Sequence, residues 1–347
     1  MFSSLKIENY KTVKFLSIDN LAKINLFFGR NNCGKTTLLE AIFLLSGLSN
    51  PELFRRCNSF RSFNHITDLS YFFHNLNVDN SIKIISTGDI GYYNRTSQID
   101  YAKLEKKVIQ SNSISNNQIN NSGEFSMLSI SGAVDGKKIN SSFSLQFLKN
   151  GEKNEIKIPR NYQEKINCNY LAPSIAFETI PNMVRKIMEE KNEAIVISAL
   201  KTFDSRIKDF VLVNNDVMVD VGFNKRIPIN MLGDGVRKLF TLVLAIYNSL
   251  NGILIIDEID NGLHFSSMKA LWNVILKVSN QFNTQLFITT HNIDSLKGMK
   301  KVLDVEMDYR NEVSFYKVIH RPSDENEVLY YNSESFSTVI EQENEIR

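Results

Sequence analysis

Three apolar runs ending in polar residues punctuate the chain: Ile24 to Phe28, Gly252 to Ile256 before Asp257-Glu258, and Phe287-Ile288 before Thr289-Thr290-His291. A run that is apolar at nearly every position, with Asn25 the exception in the first, predicts a strand buried on both faces, as in the middle of a parallel sheet. Leu5-Lys6-Ile7-Glu8-Asn9-Tyr10 alternates instead, which predicts a half-exposed strand with Val13 to Ile18 as its hairpin partner. Helical spacing is read at Thr37 to Leu45, Thr179 to Lys191, Asn192 to Phe203, Val236 to Leu250 and Ser266 to Val278. Between these lie strand candidates at Ser81 to Ser86, Gln98 to Leu104, Ser126 to Ala133, Lys138 to Leu148, Glu155 to Ile158 and before Pro173. Asp135-Gly136 and Asn150-Gly151 are hairpin turn signals, so a stretch of the middle reads as an antiparallel meander. Ser111 to Ser122, nearly all Ser, Asn, Ile and Gln, reads as a flexible loop tip. The pattern as a whole predicts an α/β fold, with a mixed, largely parallel sheet flanked by helices and an N-terminal antiparallel β-subdomain.

The residues directly after the first buried strand add chemistry to this pattern. Gly29-Arg30-Asn31-Asn32-Cys33-Gly34-Lys35-Thr36 is a full Walker A pattern in strand, loop, helix context, with Thr37 next in the helix. Its glycines let successive backbone N–H groups point at phosphate oxygens, and the helix N-terminus favours the anion. Lys35 is placed to reach the β- and γ-phosphates of ATP, and Thr36 to give its hydroxyl to Mg²⁺. Asp257 is a second candidate for Mg²⁺, and Glu258, one residue on, is the natural base for the attacking water. Leu232-Gly233-Asp234-Gly235 before a helix makes a second anion nest, which one nucleotide does not need unless a dimer partner supplies the phosphate. His291, at the end of the third buried strand, is a candidate γ-phosphate sensor. Asn261-Gly262-Leu263-His264 is a tight turn expected to face the dimer seam, and Tyr10 with Lys11 marks a hairpin turn where a base can rest.

Composition adds limits. With 43% hydrophobic and 22% charged residues the chain is an ordinary globular composition. A net charge of +2 and a pI near 8.2 give no electrostatic footprint for nucleic acid, which is left as a possible ligand that charge does not support. Cys33, Cys57 and Cys168 lack zinc-ligand spacing and fit a reducing, cytoplasmic setting. No run approaches the about 20 apolar residues of a membrane span.

Taken together, Ile7 to Lys11, Asn25 to Ile42, Leu232 to His291 and Ser333 to Arg347 resemble the ABC-type ATPase heads of the RecF, SMC and OLD class, and more closely the short bacterial AAA-type ATP-binding proteins of that class. The resemblance implies a single P-loop NTPase head over 1–347, with a variable β-rich insertion at 50–165, no coiled-coil arm and no C-terminal nuclease domain. It makes Leu232 to Gly235 the signature motif, with Gly233 in the place of its serine, Asn261 to His264 the D-loop and His291 the switch histidine. Gln146 and Gln163 are both candidates for the Q-loop. Such heads form homodimers around two ATP. The expected function is a dimeric ATP-hydrolysing switch for a separate nuclease or toxin effector in anti-phage defence. The alternatives are a RecF-like DNA-repair ATPase that binds DNA directly and a nucleotide-binding scaffold with little turnover.

Overall fold

The computed structural model describes residues 1–61, 68–89, 93–104, 125–148, 151–160, 162–172, 180–321 and 325–341. The expected loop tip at 111–122 lies outside them, as do the last residues, 342–347. In chain order the elements are β1 (Phe2–Tyr10), β2 (Val13–Ile18), β3 (Ile24–Phe28), α1 (Lys35–Ser46), α2 (Leu53–Ser59), β4 (Ile82–Gly88), β5 (Arg95–Leu104), β6 (Phe125–Val134), β7 (Lys137–Leu148), β8 (Gly151–Lys157) and β9 (Cys168–Leu171). There follow α3 (Ile180–Glu189), α4 (Glu193–Lys201), β10 (Asp209–Val213), β11 (Asp216–Asp220), β12 (Ile227–Pro228), α5 (Asp234–Asn248), β13 (Ile253–Ile256), α6 (Met268–Gln281), β14 (Gln285–Thr290), α7 (Ile293–Leu303), β15 (Val313–His320), β16 (Asn326–Tyr331) and α8 (Ser333–Glu341).

The three apolar runs become neighbours. The central sheet has the order β16-β15-β3-β14-β13-β9, with β16 antiparallel and the rest parallel. Because side chains alternate across a sheet, each run feeds two cores. Ile24, Leu26, Phe28, Leu254, Ile256, Leu286 and Ile288 join one core with α3 to α8. Phe27, Ile253, Ile255, Phe287 and Tyr316 join another with α1 and a second sheet. Burial on both faces is the physical reason these strands carry no polar alternation.

That second sheet is antiparallel and seven-stranded, in the order β2-β1-β4-β5-β6-β7-β8. The stretch expected as an insertion therefore adds its strands to the edge of β1, in one sheet with the N-terminal hairpin. Asp135 (φ 45°) and Gly136 (φ 79°) make the turn between β6 and β7, with Val134 opposite Lys137. Arg95, fully buried on β5, donates to the carbonyls of Leu45 and Ser46 at the end of α1 and pairs with Glu164 at 2.6 Å. It satisfies carbonyls that the helix leaves open, and so ties the sheet to α1.

A three-stranded sheet of β10, β11 and β12 was not expected from the residue pattern. Its turn signal is Asn214-Asn215, both at positive φ (49° and 72°), a position that asparagine tolerates nearly as well as glycine.

Candidate active site

The parallel strands deliver three chemical groups to one edge. Thr290 on β14 lies opposite Phe28 on β3, and Ile256 on β13 lies opposite Ile288 on β14, so the loops after all three strands emerge side by side. This is the end of a parallel sheet where ligands are expected.

At the first loop, Gly29 (φ 147°) packs against the Val318 carbonyl so closely that a Cβ would lie 2.4 Å from that oxygen. Only glycine fits there. Gly34, at φ 100°, is the N-cap of α1. Arg30, Asn31 and Asn32 are exposed, while Cys33 is buried under the loop with its Sγ 3.7 Å from Lys35 Nζ. Lys35 Nζ donates to the carbonyls of Gly29 (2.9 Å) and Arg30 (2.8 Å), which holds the ammonium over the loop mouth. Thr37 is buried, its hydroxyl 2.9 Å from that of Thr12, so what it can offer a phosphate is its backbone N–H.

Thr36 of the Walker A pattern and Asp257, just past the end of β13, meet. Thr36 Oγ1 donates to Asp257 Oδ2 at 3.0 Å, and Thr289 Oγ1 donates to Asp257 Oδ1 at 2.5 Å. Thr289 also accepts from the Glu258 backbone N–H at 2.9 Å. One hydroxyl thus fixes both the carboxylate of Asp257 and the main chain of Glu258. Glu258 needs that brace, for it lies at φ 52°, a conformation that costs a non-glycine residue about 1–3 kcal/mol. Its carboxylate, half exposed, faces His291 Nδ1 at 3.9 Å. Thr290 donates to the buried Asp260 at 2.6 Å and accepts from the Asn292 N–H, which fixes the chain around His291. Thr289 and Thr290 were missed as site residues; two threonines ending an apolar central strand are the signal that pointed to them.

Asp257 and Glu258 also line a cleft of about 210 Å³, with Asp234, Lys238, Asn261 and Gly262 across from and beside them. Here α5 begins at Asp234, two residues earlier than expected, so Gly233 alone is the N-cap and Gly235 lies in the first turn. Gly233 takes φ 88°, ψ 161°, which breaks any helical continuation upstream and lets the helix start at once. Gly233 accepts from Arg237 N, and Asp234 pairs with the Arg237 guanidinium at 2.9 Å; neither bond reaches the chain's own P-loop. The Asn261 to His264 turn is closed by Asn261 N to Glu258 O and Leu263 N to Asp260 O, both 3.1 Å. His264 then caps a short 3₁₀ turn, Phe265–Ser267, so α6 starts at Met268 rather than Ser266.

One expectation is corrected. Tyr10 is fully buried, and Lys11 Nζ is engaged by Glu40 at 2.9 Å over the rings of Tyr10 and Phe72. Glu40, itself buried, also takes Arg61 at 2.7 Å. A buried carboxylate needs such cations, so this hairpin turn braces α1 and offers no shelf for a base. Of the two glutamines, Gln163 is an exposed residue between β8 and β9, and the Gln146 side chain lies outside the described residues.

Tyr170 and Lys238 were not foreseen. Tyr170, on β9, has its phenol pushed well above its ordinary value by burial and then by the Asp257 carboxylate, which keeps it neutral beside the site. Lys238, on α5, donates to the Asn261 carbonyl, and burial pushes its ammonium down to about 8 despite Asp260 and Glu258 nearby.

Known proteins resemble this chain. An ATP/GTP phosphatase of Helicobacter pylori is 25% identical over 351 residues, spanning 91% of this chain and 92% of that one. The DNA replication and repair protein RecF of Bacteroides thetaiotaomicron is 48% identical over 42 residues, or 12% of this chain and 11% of that one. The fold is that of an SMC head solved with the C-winged helix domain of ScpA, with a TM-score of 0.53 at 12% identity over 95% of this chain and 97% of that one. A family model described as "AAA domain, putative AbiEii toxin, Type IV TA system" matches residues 71–296, which hold Leu232 to Gly235, Asp257-Glu258 and His291 and start beyond the P-loop. With that match over about two thirds of its length, the chain belongs to this AAA domain family and is an ATPase.

Proposed function

We propose that the chain is an ATP-hydrolysing switch that forms a head-to-tail homodimer around two ATP and controls a separate effector, a nuclease or toxin, in anti-phage defence. The observation that carries the dimer is the exposure of the second anion nest. Gly233 and Asp234 are exposed, their bonds do not turn to the P-loop of the same chain, and Met231 (71% exposed) and Phe265 (63%) flank the signature and the D-loop turn. Large apolar side chains beside a phosphate nest suit a surface that a second copy covers. The SMC-head fold and the family description support a switch acting on other proteins.

Mg²⁺ fits the site: Thr36 and Asp257 present a hydroxyl and a carboxylate within 3.0 Å of each other, hard oxygens of the kind that hold this ion with phosphate and water filling the rest. Bound there, Mg²⁺ would neutralise charge on the β- and γ-phosphates. Lys35 binds those phosphates. Glu258 takes a proton from the attacking water as the γ-phosphate leaves, and His291, opposite Glu258, orients that water. Loss of the γ-phosphate removes the bond between the P-loop of one copy and Gly233 to Gly235 of the other, and the dimer opens. A cytoplasmic setting belongs to this reading, supported by the free thiols of Cys33, Cys57 and Cys168; among the described residues no helix is long and apolar enough to cross a membrane.

Light scattering of the purified chain with and without ATP and Mg²⁺ tests the dimer. A doubling of mass with ATP that is absent in Lys35→Ala is expected, and an unchanged mass in wild type and in Glu258→Gln removes it. Pull-down of the tagged chain from its own host tests the effector: a partner nuclease or toxin is expected, and a chain recovered alone in every nucleotide state counts against that half.

A further inference from the structure

Lys238 stands one turn into α5, just past the signature glycines, and its ammonium crosses the cleft to the opposite wall. There Nζ lies 3.5 Å from the Glu258 carbonyl and donates to the Asn261 carbonyl at closer range. Those two carbonyls belong to the turn that carries the base Glu258 at one end and the start of the D-loop at the other. The turn is the strained one, with Glu258 at φ 52°. Thr289 holds it from the β14 side through the Glu258 N–H, and Lys238 holds it from the α5 side.

We propose that Lys238 is a positioning residue for hydrolysis, tying the signature end of α5 to the Glu258–Asn261 turn so that a phosphate seated on Gly233 to Gly235 and the base Glu258 move as one body. The proposal rests on the dimeric reading above. Three observations carry it. The bond to the Asn261 carbonyl is charge-assisted, the stronger kind, and the Glu258 carbonyl lies at the outer edge of hydrogen-bond range at 3.5 Å. Both contacts are made to backbone, so they fix where the turn lies whatever rotamer the Glu258 side chain takes. The side chain is half-buried in the cleft, and partial loss of water around an ammonium is a cost that its carbonyl contacts offset. The charged groups facing it are Asp260 and Glu258 from the turn, with Asp234 and Arg237 from its own helix lining the same cleft. Its hydrogen-bond partners are the two carbonyls.

The experiment compares Lys238→Met and Lys238→Arg with wild type in the full chain, reading kcat and KM for ATP, the ATP-driven mass change and the melting temperature. Lys238→Met is expected to lower kcat about 100-fold, the scale of an about 1 Å misplacement of a catalytic group, while KM stays near wild type and the melting temperature does not fall. Lys238→Arg, which retains the charge and the donors, is expected to recover most of kcat. An unchanged kcat in Lys238→Met overturns the proposal, and so does a loss of the same size in both variants. A wild type that never dimerises with ATP sinks the parent reading instead, and the mass measurement identifies that case separately from the kinetics.

Discussion

Thr36 and Asp257 are 221 positions apart in sequence and 3.0 Å apart in space, the hydroxyl of one donating to the carboxylate of the other. The contact closes only because β3 and β13 both flank β14 in parallel, which brings the loops after them to one edge. The same Asp257 carboxylate takes Thr289 on its other oxygen, so its orientation is set by hydroxyls from α1 and from β14.

Asp257→Asn keeps the shape and removes the charge. ATP binding is expected to persist with a much weaker dependence on Mg²⁺, which titration of the metal against nucleotide affinity checks. An unaltered Mg²⁺ requirement would take Asp257 out of the metal role.

Glu258→Gln removes the proton acceptor and leaves the turn in place. Turnover should fall by about 10²- to 10⁴-fold, the usual contribution of a general base, while ATP binding and the ATP-bound dimer persist. Single-turnover hydrolysis alongside light scattering reads both. A variant that hydrolyses at the wild-type rate means that another group activates the water.

Gly233 occupies the place of a signature serine, and its backbone shows why a serine does not fit this chain as it stands. At φ 88°, ψ 161° it lies in a region essentially reserved for glycine. Space is not the obstacle, because a Cβ there would meet nothing within 4 Å. Gly233→Ser is therefore expected to cost about 1–3 kcal/mol of stability without tightening ATP-driven association. Stronger association at equal stability would show that the loop readily takes another conformation.

Lys238 makes a stability prediction with a defined sign. Its folded value, about 8, is below the ordinary lysine value of 10.5, with burial the larger cause. Below pH 8 the ammonium is charged in both states and its burial penalty is fully present. Between about pH 8 and 10.5 the unfolded chain holds a proton that the folded chain has released, so stability contributed at this residue rises with pH. Lys238→Met should thus gain on wild type most at pH 7, with the difference narrowing towards pH 10. Denaturant melts of both proteins across that range provide the check; a constant difference refutes it.

Arg95 carries no chemistry in this reading and should behave accordingly. Arg95 is fully buried against the Leu45 and Ser46 carbonyls and pairs with the partly exposed Glu164, so its replacement by methionine leaves the end of α1 without that donor and Glu164 without its cation. A loss of about 1–3 kcal/mol is expected from the unsatisfied helix-end carbonyls, with kcat per folded molecule unchanged. A drop in kcat at full folding would mean that the seven-stranded sheet acts on the site through α1.

Much of the site was legible because its chemistry is local. Gly29 to Thr36 needs a strand, a tight loop and a helix start within a few residues, and each leaves a mark that a single stretch reveals. Asp257-Glu258 and His291 were legible as candidates for the same reason: polar residues at the end of an apolar run stand out, because a doubly buried strand carries few of them. Tyr10 and Lys11 were misjudged because alternation shows which face a side chain takes and not what packs on that face. Glu40, which claims Lys11, comes from α1, and Arg61, which shares that carboxylate, from just past α2.

By itself the sequence determined the α/β class, the three buried strands, the phosphate loop and the base and metal-ligand candidates, since these follow from residue type and short-range spacing. Only the tertiary structure decided which strands are neighbours, that the 50–165 stretch shares a sheet with β1, and that Thr289 and Lys238 hold the Glu258 turn from opposite sides. Those relations join residues tens to hundreds of positions apart, and they are set by sheet order and by the burial of both sheet faces, which no local pattern encodes.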